Sequence, residues 1–436
     1  MGARAAGLLL AALLAMTACA GLACSAQPNA SQPDATPATD AASDAATDAT
    51  LDAGGEGDQD PDVYPAKHAP IPQIDNLGGP VFASLEVVTV TFQGDAWRSD
   101  LESFDDAIVT SDWWRAVASE YGVDTGKSGG HVVLADTVSG QALNDEDVPA
   151  FLQSHVQSGE LPAPSRSTLY LLYVPASTDV FYAHGAVQSC VDFIAYHSET
   201  TIALDAGNTA VAYGIVARCP GFGADVKKFA TIAASHVLVE AASDPLPLTA
   251  PAYQLATNDA WLTAGGSPTR NEIGDLCGFR QSVDAGGAAA QRIWSNVAAA
   301  ASRPPCVPSP PGEIWFGAAV RTDLQLIDVH KSYGYVVVPR GESRDVAIDV
   351  FSGAPLASDL ALYVGRDRGA TDPRTLDPLL RGIVASLSRT TAHNGNRVVM
   401  SITVPAAAPP ADYPFVVRSV LDAQTFYDWP VIVRVK

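Results

Sequence analysis

His236 and Glu240 stand four residues apart in "ATIAASHVLVEAASDP", a stretch otherwise almost wholly apolar. At that spacing two side chains leave the same face of a helix. A helix that is apolar nearly all round is buried, and a buried ionised carboxylate is costly unless it is paired or bound to a metal. An imidazole and a carboxylate one turn apart are donors of the kind a zinc-peptidase helix uses, where a glutamate beside the first histidine activates bound water. Here that neighbour is Val237, which cannot accept a proton. From chemistry alone two readings stay open, a metal pair or a His–Glu pair satisfied by protein partners, and the bare spacing favours the second. Asp244, eight residues after His236, joins the same face if the helix runs that far. "NEIGDLC" offers Glu272 and Asp275 as further carboxylate ligands, beside a cysteine that would hold their loop rigid. His184 and His197 lie on or beside the strands before the helix and read as ordinary surface or core histidines that could line the same cleft.

These residues need a frame. "PVFASLEVVTVTFQGD", "HVVLAD", "STLYLLYVPA", "CVDFIAYHSE" and "TAVAYGIVARC" read as extended segments. Between them "RSDLESFDDAIVTSDWWRAVASEYG" places Phe104, Ile108, Trp113, Val117 and Tyr121 near helical spacing, and "DEDVPAFLQSHVQSG" is a second helical pattern. The helix of His236 is expected from Asp225, its N-cap, to Ala242. Strands alternating with helices predict an α/β fold, a mixed sheet covered by helices, over residues 76–310. The cluster "RPPCVPSPPG" marks a boundary. Beyond it six or seven short β-rich runs, separated by Gly, Pro, Asn and Asp, predict a C-terminal β-sandwich over 311–436. Trp113 and Trp114 are expected to anchor a helix to the core.

The amino terminus reads as an export signal over residues 1–24, with Arg4 followed by a short apolar run and small residues. "MTAC" at Cys19 and "GLAC" at Cys24 both resemble lipoprotein cleavage boxes, with Cys19 slightly preferred as the acylated residue; an ordinary secretory signal is the alternative. Residues 25–75 are Ala, Asp, Thr, Pro and Gly with few large apolar side chains, so a disordered acidic tether is expected. Nine acids and no Lys or Arg lie between Asp34 and Asp62, which accounts for about two-fifths of the net charge of −22. The rest carries no basic stripe, which excludes nucleic acid as a partner.

Past the signal four cysteines remain, Cys190, Cys219, Cys277 and Cys306. An even number in an exported chain predicts disulfides, and of the three possible connectivities the local pairs Cys190–Cys219 and Cys277–Cys306 are preferred. No C-x2-C pair exists to build a zinc site from thiolates. "GVDTGKS" is one residue short of a phosphate loop and follows a helix; its D-T-G has no second copy to form a carboxylate dyad. No G-x-S-x-G occurs.

"SHVLVEAASDP", "EIGDLC" and "QRIWSN", preceded by "DWWRAVASEYGV" and "FIAYHS", together resemble bacterial relatives of the phosphate-induced, Exordium-like extracellular proteins over roughly residues 80–310. The resemblance implies an extracytoplasmic protein with a zincin-like core. It assigns His236 and Glu240 to the helix motif, Asp244 to the following acid, and Glu272 and Asp275 to the acidic loop. Val237 departs from it, standing where the family pattern has glutamate. The expectation is therefore an exported, lipid-anchored surface protein, or a secreted one, with a degenerate metallopeptidase-like site that holds zinc, or alternatively calcium. An active metallohydrolase using Asp244 or Glu272 as base is the second reading. The third is a surface-binding module whose sandwich contacts cell-wall polymer or another surface protein.

Overall fold

A computed structural model describes residues 57–135, 142–220, 225–255, 272–278, 282–327, 330–366, 372–377 and 379–436. All belong to one compact unit, Leu51–Lys436.

The first half is the expected α/β structure. Its strands are β1 (Glu86–Phe92), β2 (Lys127–Leu134), β3 (Thr168–Tyr173), β4 (Ala195–Leu204) and β5 (Gly207–Val216). They form one sheet in the order β2-β1-β3-β5-β4. The first four in that order run parallel, and β4 lies antiparallel to β5 at the edge. The sequence explains the difference. "TLYLLY" in β3 is buried at every position, as a parallel strand covered on both faces must be. β4 and β5 pair from Leu204 to Gly207 across a two-residue turn, which only antiparallel neighbours allow.

Alternate residues of the sheet feed two cores. Val87, Leu169, Leu171 and Val216 face the helices α1 (Arg98–Ile108), α2 (Asp112–Ala118) and α4 (Val226–Ser243). Val88, Val90, Leu172 and Ile215 face α3 (Val148–Ser158). Trp113 and Trp114 are buried in the first core, their indole N–H groups donating to Gln291 O and Asp124 O, so they act as anchors. α4 begins where expected, the Asp225 carboxylate accepting from Lys228 N at 2.9 Å. Its approach to the sheet is very close at one point. A Cβ on Gly214 of β5 would lie 2.4 Å from Val237 Cγ1, so only glycine lets α4 lie down there.

Beyond the proline cluster the chain builds two facing sheets. One orders β6 (Phe316–Val320), β9 (Ser343–Ser352), β12 (Arg397–Thr403) and β11 (Ile383–Leu387). The other orders β7 (Asp323–Ile327), β8 (His330–Val338), β14 (Phe426–Val435), β13 (Asp412–Val420) and β10 (Leu360–Gly365). Each gains a two-residue strand at one end, and all ladders are antiparallel except β8 with β14. The arrangement is sandwich-like, as the alternating apolar runs require. One hydrophobic cluster runs without a break from Ala66 through α4 and Trp315 to Val435, so the two halves share a core.

The expected tether is corrected at its end. Residues 57–75 pack against both halves. Ala66, Ile71 and Ile74 are buried, and the side chain of Asn394 binds the backbone at Pro61, Val63 and Ala66. Asn296 does the same for both backbone groups of Ile74. Composition hides this, because two asparagines far along the chain satisfy the polar backbone that a Pro-rich segment cannot satisfy alone. Residues 1–56, with Cys19, Cys24 and the rest of the tether, lie outside the described residues.

Candidate metal centre

Both disulfides form as expected, Cys190–Cys219 and Cys277–Cys306. The second fixes the acidic loop at its C-terminal end, while Trp294 N donates to Ile273 O at 2.9 Å and holds its middle. Gly274 therefore sits directly over the α4 pair. A Cβ there would lie 2.7 Å from Glu240 Oε1 and 2.7 Å from His236 Nδ1.

His236 is held at both ring nitrogens. Gln291 Nε2 donates to Gly274 O at 2.6 Å, which turns Gln291 Oε1 toward His236 Nδ1 at 3.2 Å. That acceptor places the proton on Nδ1 and leaves Nε2 facing Glu240 Oε2 at 2.8 Å and Asp275 Oδ1 at 3.9 Å. Gln291 is itself fixed, its N–H donating to Ser235 Oγ at 2.9 Å and its carbonyl receiving the Trp113 indole. Glu240 Oε1 accepts from Gly274 N at 3.1 Å.

A nitrogen lone pair and a carboxylate oxygen at 2.8 Å need something positive between them, a proton or a metal ion. With a proton, burial works against the charge on His236, but the Glu240 and Asp275 carboxylates and the Gln291 oxygen overcome it and raise the imidazole to about 9. Burial likewise works against the Glu240 charge, and the His236 charge and hydrogen bond, His197 and Gly274 N hold its carboxyl below the ordinary value.

A second cluster lies beside the first. His197, on edge strand β4, is buried and donates from Nε2 to Asp244 O at 3.0 Å, with Nδ1 3.8 Å from Glu240 Oε2. Glu272 Oε1 lies 3.5 Å from its ring at Nε2. Burial, together with the charges of Glu240, Asp244 and Asp275, pushes the Glu272 carboxyl well above its ordinary value. Glu272 Oε1 is buried and accepts no hydrogen bond. The Glu272 side chain shares a hydrogen bond with Asp244, and its bare Oε1 lies within a compact set of imidazole and carboxylate donors, which fits a metal.

Of the five expected ligands, His236, Glu240 and Asp275 come together. Glu272 joins Glu240 through His197. Asp244 does not join either set. α4 ends at Ser243, and Asp244 leaves it with φ −145, so its carboxylate turns from His236 to accept from Ala252 N and Gln254 Nε2, both at 2.8 Å, and shares a hydrogen bond with Glu272. Its role is to brace His197 through its carbonyl. His184 is an exposed turn residue against Glu146. His197 lines the same cleft, as the sequence allowed, whereas its approach to Glu240 and the role of Gln291 carried no sequence signal. Position 237 is fully buried and faces β5, not the carboxylates.

No family model matches the chain, and no curated protein matches it. Solved structures with partial likeness include domains 4 and 5 of the S-layer protein SbsC, at 12% identity and TM-score 0.16, covering 27% of this chain and 53% of that one. SbsC domains 1–6 align at 11% identity and TM-score 0.16 over 27% of this chain and 13% of that one. A nucleoside hydrolase-related hypothetical protein from Saccharophagus degradans, associated with carbohydrate metabolism, aligns at 12% and 0.17 over 27% and 25%. The chain thus spans about half or less of each, and likeness at this level carries no argument about fold or function.

Proposed function

We propose that this is an exported, lipid-anchored surface protein whose α/β half binds a divalent metal at His236, Glu240 and Asp275 without peptidase chemistry. The observation that carries the reading is the locked ring of His236, with Nδ1 committed to Gln291 and Nε2 turned onto Glu240 and Asp275. Locking one ring nitrogen through an outer partner is how proteins aim histidine at a metal. The mixed nitrogen and carboxylate donors suit zinc; calcium takes oxygen alone. The described cysteines are in disulfides and offer no thiolate, and those bonds fit folding outside a reducing cytosol. Zinc held there would supply a fixed positive charge and a Lewis acid. The mixed sheet, with one antiparallel edge strand paired to the strand that precedes the histidine helix, supports a zincin-like descent. Metal analysis of chelator-free protein should find at least one equivalent of zinc per chain, and EDTA should lower the melting temperature. No metal and an unchanged melt would overturn the proposal.

A second reading rests on Glu272, a buried carboxyl beside the pair whose Oε1 carries no hydrogen bond, as the base in place of the missing glutamate. Peptide hydrolysis lost in both His236→Ala and Glu272→Gln would support it, and absence of turnover across peptide libraries would remove it.

A further inference from the structure

The two histidine clusters share one residue, and the shape of that sharing says more than either cluster alone. Glu240 Oε1 is occupied by Gly274 N. Glu240 Oε2 faces His236 Nε2 on one side at 2.8 Å and His197 Nδ1 on the other at 3.8 Å. The ligand atoms of His236, Glu240 and Asp275 lie within 4.8 Å of one another, and so do those of His197, Glu240 and Glu272. Among the described residues no set that compact contains both histidines. Two nitrogens on one zinc ion, each about 2.1 Å from it, stand at most about 4.2 Å apart. One ion therefore does not gather both rings. Two ions do, with Glu240 between them.

We infer that the centre takes two divalent cations of the zinc class, one held by His236 and Asp275, the other by His197 and Glu272, bridged by the Glu240 carboxylate. This rests on the metal reading above and goes beyond it in the number of ions and in the role of His197. Two independent features point to the second ion. His197 is fixed as His236 is, one ring nitrogen donating to a protein oxygen (Asp244 O, 3.0 Å) and the other turned to Glu240. The Glu272 side chain is nine-tenths buried and shares a hydrogen bond with Asp244, and its Oε1, which accepts none, lies 3.5 Å from Nε2 of the His197 ring within the same compact set. A paired site of this kind clamps a substrate oxygen between two positive charges. The ligand class that follows is an oxygen anion, a carboxylate or a phosphoryl group, reaching Glu240 from the side of His236, the less buried of the two rings.

The test is the stoichiometry of zinc and of cobalt(II) on the whole protein. Two equivalents should bind. His197→Ala and Glu272→Gln should each leave one, and His236→Ala should leave one. The doubly cobalt-loaded protein should show the weakened, exchange-coupled paramagnetic signal of bridged ions; the single-equivalent variants should show the uncoupled one. One equivalent in the unaltered protein overturns the paired centre and leaves the single-metal reading standing, whereas no equivalent removes both. Two equivalents that survive both His197→Ala and Glu272→Gln, or that give an uncoupled signal, place the second ion elsewhere and overturn the inference. If His197→Ala does not fold, as judged by circular dichroism, Glu272→Gln and the coupling measurement on unaltered protein decide.

Discussion

Replacing Gly274 by alanine tests whether the acidic loop and α4 form one pre-set site. The backbone at Gly274 is ordinary right-handed helical, φ −77 and ψ −37. Alanine is permitted there, and restricting the unfolded chain would by itself add about 0.4–1 kcal/mol of stability. What opposes it is space. The new methyl would stand 2.7 Å from both Glu240 Oε1 and His236 Nδ1, and neither atom can yield, since one is bonded to Gly274 N and the other to Gln291. Overpacking of this kind costs about 1–3 kcal/mol, and losing a hydrogen bond to a charged carboxylate about 1.5–3. The net should be destabilisation of about 3 kcal/mol, with metal affinity falling roughly a hundredfold if the distortion is carried into the bound state. Gly278, four residues on, is the internal control. It has φ −57 and ψ −23, and among the described residues a Cβ there meets only Asp275 O, at 3.4 Å. Gly278→Ala should be neutral or slightly stabilising. Denaturant melts and zinc titrations of the two variants give the comparison. Equal effects of the two substitutions would refute the claim that Gly274 is a contact of the site.

Three further outcomes follow from the same geometry. Val237→Glu should create no peptidase and should destabilise by about 2–4 kcal/mol, because the position is filled against Gly214 and Leu171; soluble protein of unchanged melting temperature with new casein hydrolysis would contradict this. Asp105 is buried beneath β1 and accepts from Thr89 Oγ1 at 2.6 Å and Tyr173 OH at 2.7 Å. Burial raises its carboxyl to about 7 against those two hydrogen bonds. The folded protein thus keeps a proton that the unfolded chain has released, so stability is lost as pH rises from about 4 through about 7, by up to roughly 4 kcal/mol from this group. Asp105→Asn should flatten that part of the stability–pH curve, and an unchanged slope would count against the assignment. Asn394→Ala removes the side-chain bonds that hold residues 61–66, and should open that segment to proteolysis while the sheets stay intact, which limited digestion and mass spectrometry would detect.

Local chemistry made much of this structure legible in the sequence, and distance in the chain hid the rest. α4 was expected over 225–242 and forms over Val226–Ser243, because its cap and its unbroken apolar run are both local signals. The two disulfides and the alternating strands were legible for the same reason. His197 was visible only as a histidine that could line the cleft, since its partner Glu240 lies on another element and no spacing relates an edge strand to a helix end. Gln291 was still less visible, being a single amide in "AAAQRIW" whose work depends on a loop carbonyl at Gly274. Asp244 was expected on the same face only if the helix reached it, and the helix stops one residue short; at eight residues it would also have rotated about 80° from His236.

The charge balance of the centre ties the site to the fold. Glu240, Asp244 and Glu272 are buried and Asp275 is close to it, around two imidazoles. Among the described residues the ion-pair partners of Glu240 and Glu272 are histidines alone. Among the described residues a protonated His236 supplies one positive charge against Glu240 and Asp244, which leaves these buried groups negative even with Glu272 held neutral. Folding would be expected to disfavour such a cluster, since like charges out of water repel strongly. Yet the chain spends a disulfide, the Trp113 and Gln291 brace and the one close glycine of the loop on pressing these carboxyls together. Rigid convergence of like charge is costly without a cation and is offset when cations bind. Stability should therefore rise with zinc concentration, and do so less in Glu240→Gln than in the unaltered chain. A thermal melt that ignores added zinc in both would mean that the imidazolium alone balances the cluster.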